Sequence, residues 1–418
     1  MKWSSRMLER PWRLIGWLCV VAGLYATFIR FTQGLGASTN LNDDFPWGLW
    51  VGFDVICGVG LAAGGFTISA IVYIFRLEKY RPIAKPAVLA AFIGYLMVVG
   101  GLLFDLGHPW RLWHPLVMWN HHSVMFEVSW CVTLYTIVLA LEVSSLVLER
   151  LNWSRALRIV HVAVLPLTLA AVLLSMLHQS SLGSLFLLVP ERLHAFWYSP
   201  LLPLHFFVSA MAVGCAMTIV ESNLSSRAFG RCVEADVLGG VARIAAGLLG
   251  VYLVLRVGDL VVRGVTRELW PLNRASVFFM AELLLGTVIP MILFSLDRIR
   301  RNTKWLYHAG QLAVVGFVVG RLNVSVTGFE VAAGKSYVPS WTEFAVTLML
   351  VVIGIRFFYL AAKSLPVFES DHDAGLRSRR WREEIERQAH SLPDALSAAR
   401  GGAFRGEQQV SDEKLLRT

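Results

Sequence analysis

Charge is the first thing this sequence has little of. Only 16% of its 418 residues are Asp, Glu, Lys or Arg, and most of these fall between long apolar runs. More than half of the chain, 56%, is hydrophobic. That composition excludes a water-soluble domain and points to a polytopic membrane protein. Cysteine is scarce too. Cys19, Cys57, Cys131, Cys215 and Cys232 show no CxxC spacing, and four of them lie inside apolar runs. Iron–sulfur and zinc frameworks are thereby excluded, and small core residues remain. Histidine is missing where two stacked b-haems would need it. His161 and His178 share one apolar run, but the next run offers His205 alone. A single haem between His178 and His205 is all that this leaves open. The net charge of +9 comes without a basic-aromatic motif, so nucleic acid is not an expected partner. The N-terminal MKWSSRMLERPWR runs straight into an apolar stretch, and no A-x-A cleavage site stands out. It is read as leading into a retained first span.

What is present is a series of ten apolar runs. Their expected limits are Trp12–Phe31, Leu49–Phe75, Pro86–Phe104, Ser123–Leu148, Leu157–His178, Leu201–Glu221, Val237–Val262, Ala275–Leu296, Trp305–Val324 and Trp341–Ala362. The loops between them alternate in charge. The N-terminal segment and the even loops are basic, with Arg76, Lys79, Arg81 and Lys85 in the second and Arg298, Arg300, Arg301 and Lys304 in the eighth. The odd loops are poorer in Lys and Arg, the seventh (Arg263, Arg267, Arg274) being the weakest match. By the positive-inside rule both termini are expected in the cytoplasm and the odd loops outside. Odd loops are also rich in aromatics, such as Trp110, Trp113 and Trp119. An interfacial belt accounts for such residues, and a docking surface for an outer partner is compatible with it. From Ser364 onward the chain turns polar and charged. Residues 1–363 are read as one transmembrane domain and 364–418 as a disordered cytoplasmic tail.

Ionisable side chains inside a bilayer are costly and mark functional sites by default. The fourth run carries two, Glu127 and Glu142, within about 60° of one helix face and roughly 22 Å apart in depth. Asp54, Asp105, Glu127 and His178 come from four consecutive runs and are expected to gather near the outer face. A second set, Arg256, Asp259, Glu282, Arg321 and Asn323, belongs to later runs. It reads either as buried ion pairing or as part of a proton path. Glu142, His161, Glu221 and Arg356 lie nearer the inner face. The stretch GVGLAAGG, Gly58 to Gly65, is expected to serve close helix packing, with a wall for a flat ligand as the second reading.

Several segments resemble the NrfD/polysulfide-reductase-type membrane subunits. They are NDDFPWGLWVGFDVICGVGLAAGG (Asn42–Gly65), DLGHPWRLWHP (Asp105–Pro115), NHHSVMFEVSWCVTLYT (Asn120–Thr136) and HQSSLGSL (His178–Leu185). LRVGDLVVR (Leu255–Arg263) and VPSWTEF (Val338–Phe344) are similar to the HybB-type subunit of hydrogenase-2-like nickel–iron hydrogenases. The likeness covers roughly Trp12 to Lys363. It implies an all-α fold of two four-helix bundles with flanking helices, in the bacterial inner membrane. It implies a haem-free and cluster-free chain that reacts with a quinone, menaquinone or ubiquinone, near the outer face. The implied partners are a periplasmic ferredoxin-like iron–sulfur subunit and the catalytic subunits of a hydrogenase or related oxidoreductase. Some members are proposed to couple the redox step to proton movement, and the positions of Glu127 and Glu221 are regarded as functional.

The residues agree with that expectation. Quinol oxidation releases two protons and two electrons, so it needs a base near the hydroxyl, a second polar group and an apolar slot for the tail. Glu127, His178, Asp105 and Asp54 are the expected acid–base set, with Trp130 beside the ring. Glu142, Glu221, Arg256, Asp259, Glu282 and Arg321 are the expected proton path, and no metal site is expected. The alternatives are a subunit of another iron–sulfur, molybdenum or sulfur-metabolism complex, a proton-coupled secondary transporter, and a passive anchor for an outer enzyme.

Overall fold

The computed structural model describes residues 3–231, 235–270 and 272–368, leaving aside the side chains of residues 3–11 and 161. Cys232, the His161 side chain and the polar tail beyond residue 368 lie outside the described residues. Within them are ten helices long and apolar enough to cross a bilayer. These are α1 (Trp12–Gln33), α2 (Trp50–Ile74), α3 (Glu78–Asp105), α4 (Val124–Arg150), α5 (Val162–Leu188), α6 (Leu202–Phe229), α7 (Ala235–Val262), α8 (Arg274–Ser295), α9 (Thr303–Ala333) and α10 (Trp341–Ser364). In lipid a helix satisfies its own backbone groups, which is why long apolar runs take this form. The chain is a multi-pass integral membrane protein, as the composition requires.

Helices α2 to α5 close one four-helix ring and α6 to α9 a second, with α1 and α10 packed together at the flank. The rings join where α2 and α5 meet α6. These central helices are the most enclosed: 83% of the α2 span and 72% of the α6 span are buried, against 17% for α1. Small residues bring them together. A Cβ on Gly214 of α6 would lie 2.7 Å from the Gly64 nitrogen of α2, so neither position accepts a side chain.

Helix α2 is irregular where it matters. It begins and ends in π-helical turns (Trp50–Cys57 and Ala70–Ile74) and is interrupted at Ala62–Ala63. There the Ala63 N–H turns to the Gly60 carbonyl at 3.1 Å. That frees the Val59 carbonyl, which accepts instead from Gln179 Nε2 of α5 at 3.1 Å. An unpartnered carbonyl at this depth would cost about 1–3 kcal/mol. The His178–Gln179 pair therefore has a structural half.

Three helices run past their expected ends. α5 continues beyond His178 to Leu188, α6 beyond Glu221 to Phe229, and α9 beyond Val324, through a π turn at Asn323–Thr327, to Ala333. His178, Glu221, Arg321 and Asn323 thus sit turns inside their helices and not at the rims.

Candidate functional site

Asp54 projects from the π-helical start of α2. It is buried and accepts one hydrogen bond from Thr347 Oγ1 of α10 at 2.7 Å. It forms one end of a cavity of about 430 Å³ between α2, α3, α6 and α10. Gly58, Ala62 and Gly65 of α2 and Ala87, Ala91 and Gly94 of α3 pack directly on one another and together form one wall of it. Leu350, Ile355 and Phe358 of α10 close another side. Both sequence readings of the glycine stretch are therefore met, since Gly64 packs tightly on α6 while its neighbours form a smooth wall. From Asp54 to Gly65 the helix rises roughly 16 Å, at about 1.5 Å per residue. Toward the even-loop end the cavity meets Glu221 of α6, which makes no hydrogen bond to another described side chain. The slot is almost wholly apolar, with one carboxyl toward each end.

The four groups expected together are divided. Asp105, at the end of α3, is half-buried. It lies one turn beyond Gly101, where a Cβ would come within 2.7 Å of Asp54 Cβ. Arg30 of α1 fixes this helix end by donating to the carbonyls of Phe104 (2.7 Å) and Leu106 (2.6 Å). Asp54 and Asp105 therefore share the α2–α3 interface. His178 does not line the slot. It is fully buried between α3 and α5, with Nδ1 at 2.9 Å from the Tyr95 hydroxyl. Tyr95 in turn stacks edge-on to Tyr135 of α4 at 4.5 Å. The His178 Nε2 atom has no partner among the described residues. Glu142 lies on the α4–α5 side and accepts from Thr168 Oγ1 at 3.3 Å.

Glu127 departs most from expectation. It lies in the first turn of α4, after the Ser123 cap, and is exposed. Trp130 donates through Nε1 to the Pro115 carbonyl at 2.8 Å and packs on Trp119 and Phe126. Glu127 and Glu142 are thus not a matched buried pair, because Glu127 lies on an exposed side of the first turn of α4 while Phe126 packs on Trp119.

The later set forms a compact polar cluster in the second ring. Glu282 Oε1 accepts from Arg256 Nη2 (3.3 Å), and Oε2 from Trp197 Nε1 (2.9 Å) and Asn323 Nδ2 (2.7 Å). Asp259 accepts from Arg263 (2.7 and 3.0 Å) and Ser199 (2.8 Å). Arg321 donates to the Phe206 carbonyl (2.9 Å) and Ser209 Oγ (3.1 Å), and stacks on the Phe206 ring. Arg256 pairs across helices with Glu282, not along α7 with Asp259.

A haem between His178 and His205 does not fit these residues. His178 is engaged by Tyr95 in the first ring, whereas His205 faces Tyr252 and a cavity of only about 50 Å³ in the second. Ligand pockets run to roughly 300–1,000 Å³.

Some site residues escaped the sequence reading. Thr347, Tyr95 and Gln179 carried no charge to mark them. Glu343 did. It is 1% exposed and accepts from the Asn40, Leu49 and Ser340 N–H groups and the Tyr337 hydroxyl at 2.5–3.2 Å. It thereby ties the first odd loop to α10 beside Asp54. Burial, and then the hydrogen bond to Glu343, push the Tyr337 phenol well above its usual range. The Ser340–Glu343 capping box in PSWTE was the available signal.

Comparison with known proteins gives a match to the family model "Polysulphide reductase, NrfD" over residues 37–333. A protein of Nitratidesulfovibrio vulgaris is 37% identical over 380 residues, covering 88% of this chain and 97% of its own length. The "probable Ni/Fe-hydrogenase 2 b-type cytochrome subunit" of Escherichia coli is 29% identical, covering 88% of this chain and 96% of its own. The "menaquinone reductase, integral membrane subunit" of N. vulgaris is 28% identical, covering 84% and 89%.

Proposed function

The chain belongs to the NrfD family, and from that premise we propose that it is the quinone-reactive membrane subunit of a respiratory oxidoreductase. It passes electrons between an iron–sulfur protein on the odd-loop face and the membrane quinone pool. The observation that carries this reading is the apolar slot with Asp54 at one end. Its volume, about 430 Å³, suits a flat ring and the first part of an isoprenoid tail. Asp54, held by Thr347, would take the proton from a ring hydroxyl as quinol becomes quinone, or return it in the reverse direction. Asp105 and exposed Glu127 would exchange that proton with the odd-loop side. Glu221 at the far end of the slot, with Glu142 and the His178–Tyr95 pair, would serve proton movement deeper in the membrane.

The two electrons would pass to a redox centre carried by the partner protein outside this chain. The α3–α4 loop offers the docking surface, with Trp110, Trp113, Val117, Met118 and Trp119 each 55–69% exposed. The hydrogenase and menaquinone reductase relatives support a respiratory complex, with a nickel–iron hydrogenase as the leading partner. The basic even loops support cytoplasmic termini and the bacterial inner membrane.

The test is Asp54→Asn in the native complex. Quinone-linked turnover should fall at least about 100-fold, while turnover with a soluble dye is kept. Unchanged quinone reduction would sink the assignment. The interruption in α2 favours one second reading, proton-coupled transport. That reading requires solute-dependent proton flux in liposomes holding this chain alone.

A further inference from the structure

The second ring contains more positive charge than its residues neutralise. Arg256 and Arg321 are 2% and 6% exposed. Both line the cavity of about 50 Å³, together with His205, Ser209, Tyr252 and Glu282. Glu282 is the one carboxylate among these lining side chains, and its two oxygens already serve Arg256, Trp197 and Asn323. The nearby Asp259 is saturated by Arg263 and Ser199. Arg321 has only neutral partners, the Phe206 carbonyl and Ser209. One guanidinium charge is therefore left over at membrane depth. Arg256 Nε and Nη1 and Arg321 Nε are buried without a partner among the described residues, and His205 lines the same space. An isolated buried charge costs far more than an isolated polar group, and it persists where a counter-charge neutralises it. A water-sized sphere needs about 10–15 Å³, so the space of about 50 Å³ takes one small ion with a few waters.

We propose that Arg256 and Arg321, with His205, form a buried binding site for a small monovalent anion of the halide class. The anion completes the electrostatics of the second ring and locks α6, α7 and α9 together. Nothing in this site reaches the Asp54 slot, so it stands or falls separately from the quinone reading.

The test uses the full chain purified in lipid nanodiscs and in crystals. Crystals grown in bromide should show an anomalous peak in contact with both guanidinium groups. Ordered water alone there, or bromide only elsewhere on the protein, overturns the proposal. In nanodiscs, chloride or bromide should raise the thermal midpoint saturably above that in gluconate at equal ionic strength. Arg321→Gln should abolish this dependence, and Arg321→Lys should retain part of it. A midpoint that is the same in chloride and gluconate for the native sequence, or a halide effect undiminished in Arg321→Gln, contradicts it.

Discussion

The polar cluster of the second ring and the slot between α2, α3, α6 and α10 treat their carboxylates in opposite ways. In the second ring Glu282 is surrounded by donors on three sides, beside a space of about 50 Å³. In the slot, Asp54 has one hydroxyl donor, Glu221 has none among the described side chains, and about 430 Å³ of space lies beside them. A carboxylate with donors on both of its oxygens is committed to holding helices. One with a single donor and open space beside it can exchange a proton with a ligand. Two regions built from the same residue types thus divide the work, with Glu282 assigned to architecture and Asp54 to chemistry.

That contrast can be broken by substitution, beginning with the largest effect. Glu282→Ala leaves Arg256 as an unpaired buried charge and should cost about 3–5 kcal/mol, seen as loss of folded protein by fluorescence-detected size exclusion. A variant that accumulates and melts normally would show that Glu282 is not architectural. Asp54→Asn should leave the melting temperature nearly unchanged while quinone-linked turnover collapses. Were it instead to unfold the chain, Asp54 would belong with Glu282. Gln179→Ala strands the Val59 carbonyl and should cost about 1–3 kcal/mol, read from thermal unfolding in nanodiscs. Ala90→Phe projects into the slot, and there the KM for quinone should rise about tenfold with little change in stability. Glu127→Gln, at an exposed first-turn position, should shift stability by less than about 0.5 kcal/mol. Its effect on turnover should also be smaller than that of Asp54→Asn, and a larger one would move the proton-handling site toward the Trp119–Trp130 cluster.

The spans were legible because each is a long apolar run, and lipid leaves such a run one solution. Their ends were not, for a physical reason. Polar side chains such as His178, Glu221 and Asn323 read as rims, yet the helix continues past each of them. Depth was therefore misjudged at the positions of greatest interest. Asp54 was legible as a costly intramembrane acid, but its slot was not, since that depends on how glycines of α2 and α3 face α10. Glu127 looked buried because α4 is apolar, whereas it lies on the exposed side of the first turn. The salt-bridged set of α7 to α9 was readable as pairing. Only the structure shows that Arg256 reaches Glu282 and leaves Arg321 without an acid.

The most direct test is photolabelling of the purified chain in nanodiscs with an azido-quinone, followed by peptide mapping. The account predicts label on slot residues such as Met97, Met217 and Tyr359, suppressed by excess native quinone. Label confined to the second-ring cluster or to the lipid-facing surface of α1, with the slot untouched, would contradict it.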